Sequence, residues 1–303
     1  MLINTHAKFG GLFKMEVRKK QTNQLVTQTD WMKNIVLNQG LDFMAYEHWV
    51  SSCAVGTDGT KPVETQTGLI KEFATTGDQR ETQSGCYNEN GIIYYWYRIR
   101  FRFPAGTFDN TTLAEVAVIN NNKKCWNRAL ITDSDGKPTT LTVLNDEYLD
   151  VTCEIRSYYI TEDQHGTIDI VDKNNNLIKT INTITRPCSL AYANSLAMRM
   201  LYPLRSWLLY NRASLGKSKI GDVNSLVSDA FYTDSIADTY ITGSYKLSGV
   251  IRFGLDVAND TDYLVFSTGF TDYPAWQVGF SEPIRKTNTQ IFNFHVSMTW
   301  GRL

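Results

Sequence analysis

The run from Gly91 to Gly106, GIIYYWYRIRFRFPAG, leaves little freedom in local structure. Read at a period of two, it places Ile93, Tyr95, Tyr97, Ile99, Phe101 and Phe103 on one side. Tyr94, Trp96, Arg98, Arg100 and Arg102 fall on the other. This is a β-strand with one face for a core and a second face of aromatics and guanidiniums. The second face is the candidate site. Arginine and aromatics stack on bases or sugars through flat contacts, and the same residue types are enriched at protein interfaces. A merely solvated face, a protein interface and a ligand platform are all open at this point.

Further strand patterns fill most of the chain. Residues 12–30 read as two alternating runs joined by a polar turn at Gln21 to Asn23, the signature of a hairpin. In DWMKNIVLNQGLDFMAYEHW the period changes: Asp30 is a candidate N-cap, and Trp31, Ile35, Leu41 and Ala45 recur at helical spacings, with Gly40 as an interruption. A short helix is expected there. Downstream, turn clusters at NNNKK and DSDG separate strands spaced as in an antiparallel meander or sandwich, and a further hairpin turns at Asn174 to Asn176. The last segment, QIFNFHVSMTWGRL, sets Phe292, Phe294, Val296, Met298 and Trp300 against Asn293, His295, Ser297 and Thr299, another half-buried strand.

Between these β-rich parts, residues 188–210 carry helix-compatible apolar spacing up to and around Pro203, followed by a Ser- and Asp-rich stretch that reads as surface loop. The expected architecture is therefore mainly β in two domains. Residues 1–186 form an antiparallel β-sandwich-like domain with a short helix, and residues 187–303 a second β-rich domain after a helical linker, with the boundary within 186–210. A length of 303 residues suits two ordinary domains.

Charge and cysteine usage restrict the partners. The 30 lysines and arginines against 31 acids give no global field for a polyanion, so nucleic acid is disfavoured. The five cysteines, Cys53, Cys86, Cys125, Cys153 and Cys188, contain no CxxC pair and read as reduced, mostly buried thiols made in a cytoplasm. No segment approaches the roughly 18 apolar residues of a membrane span, and the N-terminus lacks a signal-peptide core, so neither insertion nor cleavable export is expected. The Asn-x-Ser/Thr matches at Asn110 and Asn259 then read as chance.

Catalytic and metal signatures are weak throughout. VGTDGTK lacks phosphate-loop spacing and ends in Lys61-Pro62, which reads as a turn after a strand. DSDG offers too few ligands for a calcium loop and reads as a hairpin turn. His6, His48, His165 and His295 are far apart, and there is no GxSxG elbow. Glu115 and Glu154 are the acids set within apolar strands, each at a polar alternation position, and read as solvent-facing or interface residues. No cofactor and no catalytic residue is expected.

Three segments together resemble structural proteins of bacteriophage tails: WMKNIVLNQGLDFMA, CAVGTDGTKPVETQTGL, and the long run TLAEVAVINNNKKCWNRALITDSDGKPTTLTVLNDEYLDVTCEIRSYY. They cover about residues 30–160. The order of a Trp-x-x-Asn segment, a glycine-rich turn with Gln-Thr-x-Leu, a Glu-x-x-Val strand and an Arg-Ala-Leu-Ile strand is similar to that of tail, tail-tip and fibre-associated virion components. The resemblance implies a homo-oligomerising building block of the virion tail, assembled in the host cytoplasm, whose partners are its own copies and other tail proteins. It carries no catalytic residues. The alternative is a receptor-binding module at a tail fibre or tip, with Trp96, Trp276 or Tyr273 stacking on a host-surface glycan; a depolymerising enzyme ranks third.

Overall fold

A computed structural model of the chain describes residues 2–89, 92–160, 162–172, 174, 176–188, 204, 212–223, 225, 227, 230–268 and 275–303. It is mainly β. The chain opens with β1 (Leu2–Lys19), β2 (Leu25–Gln28), β3 (Met32–Lys33), β4 (Ile35–Val36) and α1 (Asn38–Phe43). Next come β5 (Ser52–Gly56), β6 (Glu72–Thr76), β7 (Gln79–Glu89), β8 (Ile92–Phe103), β9 (Thr111–Leu113), β10 (Glu115–Ile119) and β11 (Asn127–Leu130). These are followed by β12 (Leu141–Val143), β13 (Glu147–Tyr159), β14 (Gln164–Val171), β15 (Leu177–Cys188) and β16 (Arg212–Gly216). The chain closes with β17 (Ala230–Tyr232), β18 (Asp234–Ala237), β19 (Lys246–Phe253), β20 (Tyr263–Thr268), β21 (Ala275–Ile284) and β22 (Phe292–Arg302).

One nine-stranded sheet organises the rest. Its order is β18, β19, β22, β1, β13, β8, β7, with β2 and β3 also paired to β1. A five-stranded sheet runs β4, β11, β10, β5, β6, and a six-stranded one runs β14, β15, β21, β20, β16, β17. Among the described residues, every ladder is antiparallel except β1 with β22.

The alternation read at Gly91 to Gly106 holds: along β8 the odd positions from Ile93 to Phe103 are buried, and the even ones are half-buried from Tyr94 onward. The odd residues of β1 and β13 join them in one core with β5 and β10, so the two sheets pack face to face as a sandwich. Phe9 meets Trp49 edge-on at 5.9 Å across this space, and Trp49 meets Trp126 at 4.6 Å. At the other end of the nine-stranded sheet, Phe294 of β22 stacks on Phe266 of β20 at 4.3 Å, which joins the six-stranded sheet to the same core.

The helix is shorter than expected. Asp30 is no N-cap: Met32–Lys33 pair with β1 and Ile35–Val36 with β11, and α1 starts only after Leu37. Pairing with two sheets overrides the local spacing of WMKNIVL. Gly40 does not interrupt α1 but lies within it, and its lack of a side chain lets the Trp126 backbone approach, since a Cβ there would lie 2.1 Å from the Trp126 carbonyl oxygen. The helical spacing at 188–210 falls almost wholly outside the described residues. The sheets do not follow the division at 186/187: β22 completes the sheet of β1, and β21 pairs with β15. Among the described residues, no helix is long and apolar enough to cross a membrane.

None of the five cysteines is in a disulfide, and four are buried. Burial pushes the Cys125 thiol up to about 12, and those of Cys53 and Cys153 well above their usual range. Only Cys86 is half-exposed. A thiol reagent at pH 8 is therefore expected to modify Cys86 alone in the native protein and all five after unfolding, as peptide mapping would show. Rapid native labelling of Cys53 or Cys153 would contradict the packing.

Candidate interaction surface

The five residues singled out on the second face of β8 lie in a wide lattice. Because β8 sits between β7 and β13, Tyr94, Trp96, Arg98, Arg100 and Arg102 face Tyr158, Arg156, Glu154, Thr152 and Asp150 of β13 in register. The same phase of β7 adds Tyr87, Gly85, Gln83 and Glu81.

Each guanidinium of the ladder has a carboxylate partner. Arg102 grips Asp150 with two bonds, Nε to Oδ1 at 2.7 Å and Nη2 to Oδ2 at 2.6 Å. This bidentate hydrogen bonding raises the Arg102 pKa further. Arg98 pairs with one oxygen of Glu154, and Arg156 holds the other at 2.5 Å. Arg100 reaches Glu81 at 2.7 Å and lies 4.0 Å from Asp150. Glu154 and Asp150 are only 1% exposed, covered by the arginines above them.

Aromatic rings fill the intervals. Tyr87, Tyr94 and Tyr158 form a row across three strands, with centroids 4.9 and 4.8 Å apart. Arg156 lies over Tyr94 at 4.7 Å, Arg102 over Tyr148 at 4.0 Å, and Arg98 over Trp96 at 4.5 Å. The indole of Trp96 lies across Gly85, the one position opposite it without a side chain. Trp31, 40% exposed, brings its ring within 5.3 Å of Arg98. No family model, curated protein or solved structure matches the chain. The functional reading therefore rests on this geometry and on the residues themselves.

The solvent-facing reading of Glu154 is corrected: it lies on the outer face, as its alternation position indicates, but Arg98 and Arg156 cover it. Glu115 is corrected too. It is fully buried, because the segment from Thr57 to Lys71 folds over the outer side of β10. There Arg128 donates Nε to Glu115 at 2.8 Å, Nη1 to Gln66 at 2.6 Å and Nη2 to the Thr60 carbonyl at 2.8 Å. The Gln-Thr-x-Leu, Glu-x-x-Val and Arg-Ala-Leu-Ile segments thus meet in one buried knot.

Asp150, Glu154, Arg156 and Tyr158 were absent from the candidate face, although DVTCEIRSYY carries them at a period of two. The missing information was the register that sets them opposite β8. Of the alternative stacking residues, Trp276 is 7% exposed within the core, and Tyr273 lies outside the described residues.

Proposed function

We propose that the protein is a structural component of a bacteriophage tail, a tail, tail-tip or fibre-attachment building block that homo-oligomerises and contacts other tail proteins in the virion. The observation that carries this reading is the β7–β8–β13 face. It is broad, rich in arginine, tyrosine and tryptophan, and held rigid by its own ion pairs, so little side-chain freedom is lost when a partner covers it. Four guanidiniums are set against three carboxylates, Glu81, Asp150 and Glu154, which suits a protein surface better than a polyanion. The resemblance of residues 30–160 to tail proteins points the same way. A specific interface of this kind buries on the order of 1,600 Å².

The receptor-binding reading is weaker on this face, because Arg98 already occupies the ring of Trp96. Immunogold labelling of purified phage particles tests the proposal. Label is expected on the tail of wild-type particles, and is expected to be lost from particles made with Arg100→Ala and Trp31→Ala in a chain that still folds. Unlabelled tails, with the epitope shown to be accessible on disrupted particles, would remove the virion assignment. Full labelling of the variant would remove the role of this face.

A further inference from the structure

A second site lies away from the arginine lattice, on the six-stranded sheet. Register places His165 of β14, Ile184 of β15 and Gly279 of β21 in one row across three strands. The segment following β16 comes back over this row. Ile220 sits on Gly279, where a Cβ would lie 2.7 Å from the isoleucine's own Cβ.

The segment is fastened from below by Gln277, which is fully buried. Its amide nitrogen donates to the carbonyls of Asp222 at 2.7 Å, Gly221 at 3.1 Å and Pro187 at 3.2 Å, and its oxygen accepts from the Gly221 N–H at 3.1 Å. Arg186 adds a bond from Nη1 to the Gly221 carbonyl at 3.0 Å and is itself held by Asp163 at 2.6 Å. A buried glutamine spent on backbone groups fixes the shape of a loop, and here the loop is a wall.

Between that wall and β14 opens a cleft of about 480 Å³. This is within the range of small-molecule sites. Its cationic or protonatable groups are Lys219 on the loop and His165 on the sheet. Asn182 and Ser281 supply neutral hydrogen-bonding side chains, and Ile184 and Ile220 supply apolar surface, while Thr183 and Phe280 turn their side chains to the other face of the sheet. No carboxylate is among the described residues lining it.

We propose that this cleft binds a sugar acid, a saccharide unit carrying one carboxylate. Lys219 and His165 take the carboxylate, the amide and hydroxyl groups take ring hydroxyls, and the isoleucines lie under the apolar face of the ring. The site goes beyond the assembly role, and its failure leaves that role untouched. Titration of the full-length protein with galacturonic acid, galactose and inorganic phosphate, followed by NMR, tests it. Galacturonate is expected to bind and to shift resonances of residues lining the cleft, with galactose weaker by about tenfold for want of one charge-assisted bond. Lys219→Ala, at an exposed position, is expected to weaken galacturonate by a similar factor without changing the melting temperature. Three outcomes would overturn the proposal: no binding of galacturonate, phosphate bound as well as galacturonate, or affinity unchanged in Lys219→Ala.

Discussion

Glu115→Gln is expected to lower the free energy of unfolding by about 3–5 kcal/mol, the cost of leaving a buried charge without its partner. The carboxylate accepts Arg128 Nε and Nη2 at 2.8 and 2.7 Å, and the backbone N–H groups of Lys71 and Ile70 at 2.8 and 3.1 Å. Both side chains are fully buried. Glutamine preserves the volume but turns one acceptor into a donor that faces donors. Arg128 then keeps its charge in a place water does not reach, and the segment from Thr57 to Lys71 loses its anchor. Replacing both residues, Glu115→Leu with Arg128→Met, is expected to recover part of the loss, since neither charge then remains to be compensated. Urea denaturation of the three variants measures this. A single-variant loss below about 1 kcal/mol, the scale of an exposed pair, would mean that the knot is open to water.

That knot also marks what the sequence could and could not disclose. The strand from Ile92 to Phe103 was legible because both of its faces are written in residue type, core residues at odd positions and, from Tyr94 on, aromatics and arginines at even ones. The turns were legible for a similar reason. Asp133 accepts from the N–H groups of Asp135 and Lys137, and Asp172 from those of Asn174 and Asn176, local bonds that an Asx residue makes with its own loop. Glu115 was misread because β10 is buried on both sides, and period-two reasoning assumes one wet face. The cover comes from the segment between β5 and β6, far from β10 in sequence. The short helix was overextended on the same account, since four residue pairs of sheet bonding, two to β1 and two to β11, decide the state of Met32–Val36. The arginines of the candidate face were visible one strand at a time. Their carboxylates were not, because register between β8 and β13 joins residues about fifty apart. The cleft at His165 and Lys219 left no sequence signal, as its wall depends on where Gln277 lies beneath the loop.

Residues 1–186 produced alone are expected not to fold. In such a fragment β1 keeps β13 but loses β22, its parallel neighbour from Leu2 opposite His295 to Phe9 opposite Arg302. The stretch from Leu2 to Phe9 becomes an edge, with its backbone groups unpaired and the apolar side of the sheet uncovered. The loss reaches the core of the first half directly. The Trp300 indole N–H donates to the Leu41 carbonyl at 2.9 Å from a nearly fully buried ring, and Leu303 N–H donates to the Phe9 carbonyl at 2.9 Å. Arg302 ties Glu64 at 3.3 Å, next to the loop that Arg128 anchors. At the far side, β15 is cut short at Arg186 and loses β21, and the buried position of Ile181 opens. Supplying residues 187–303 on a second chain is expected to restore soluble protein, because each missing strand then returns to a waiting ladder. The contact that closes the nine-stranded sheet joins the two ends of the chain, so this step is slow and exposed to aggregation. Soluble yield and thermal denaturation of the fragment, with and without its complement, give the answer. A fragment that melts cooperatively on its own would establish two independent domains, and would make the β1–β22 ladder a docking contact between them.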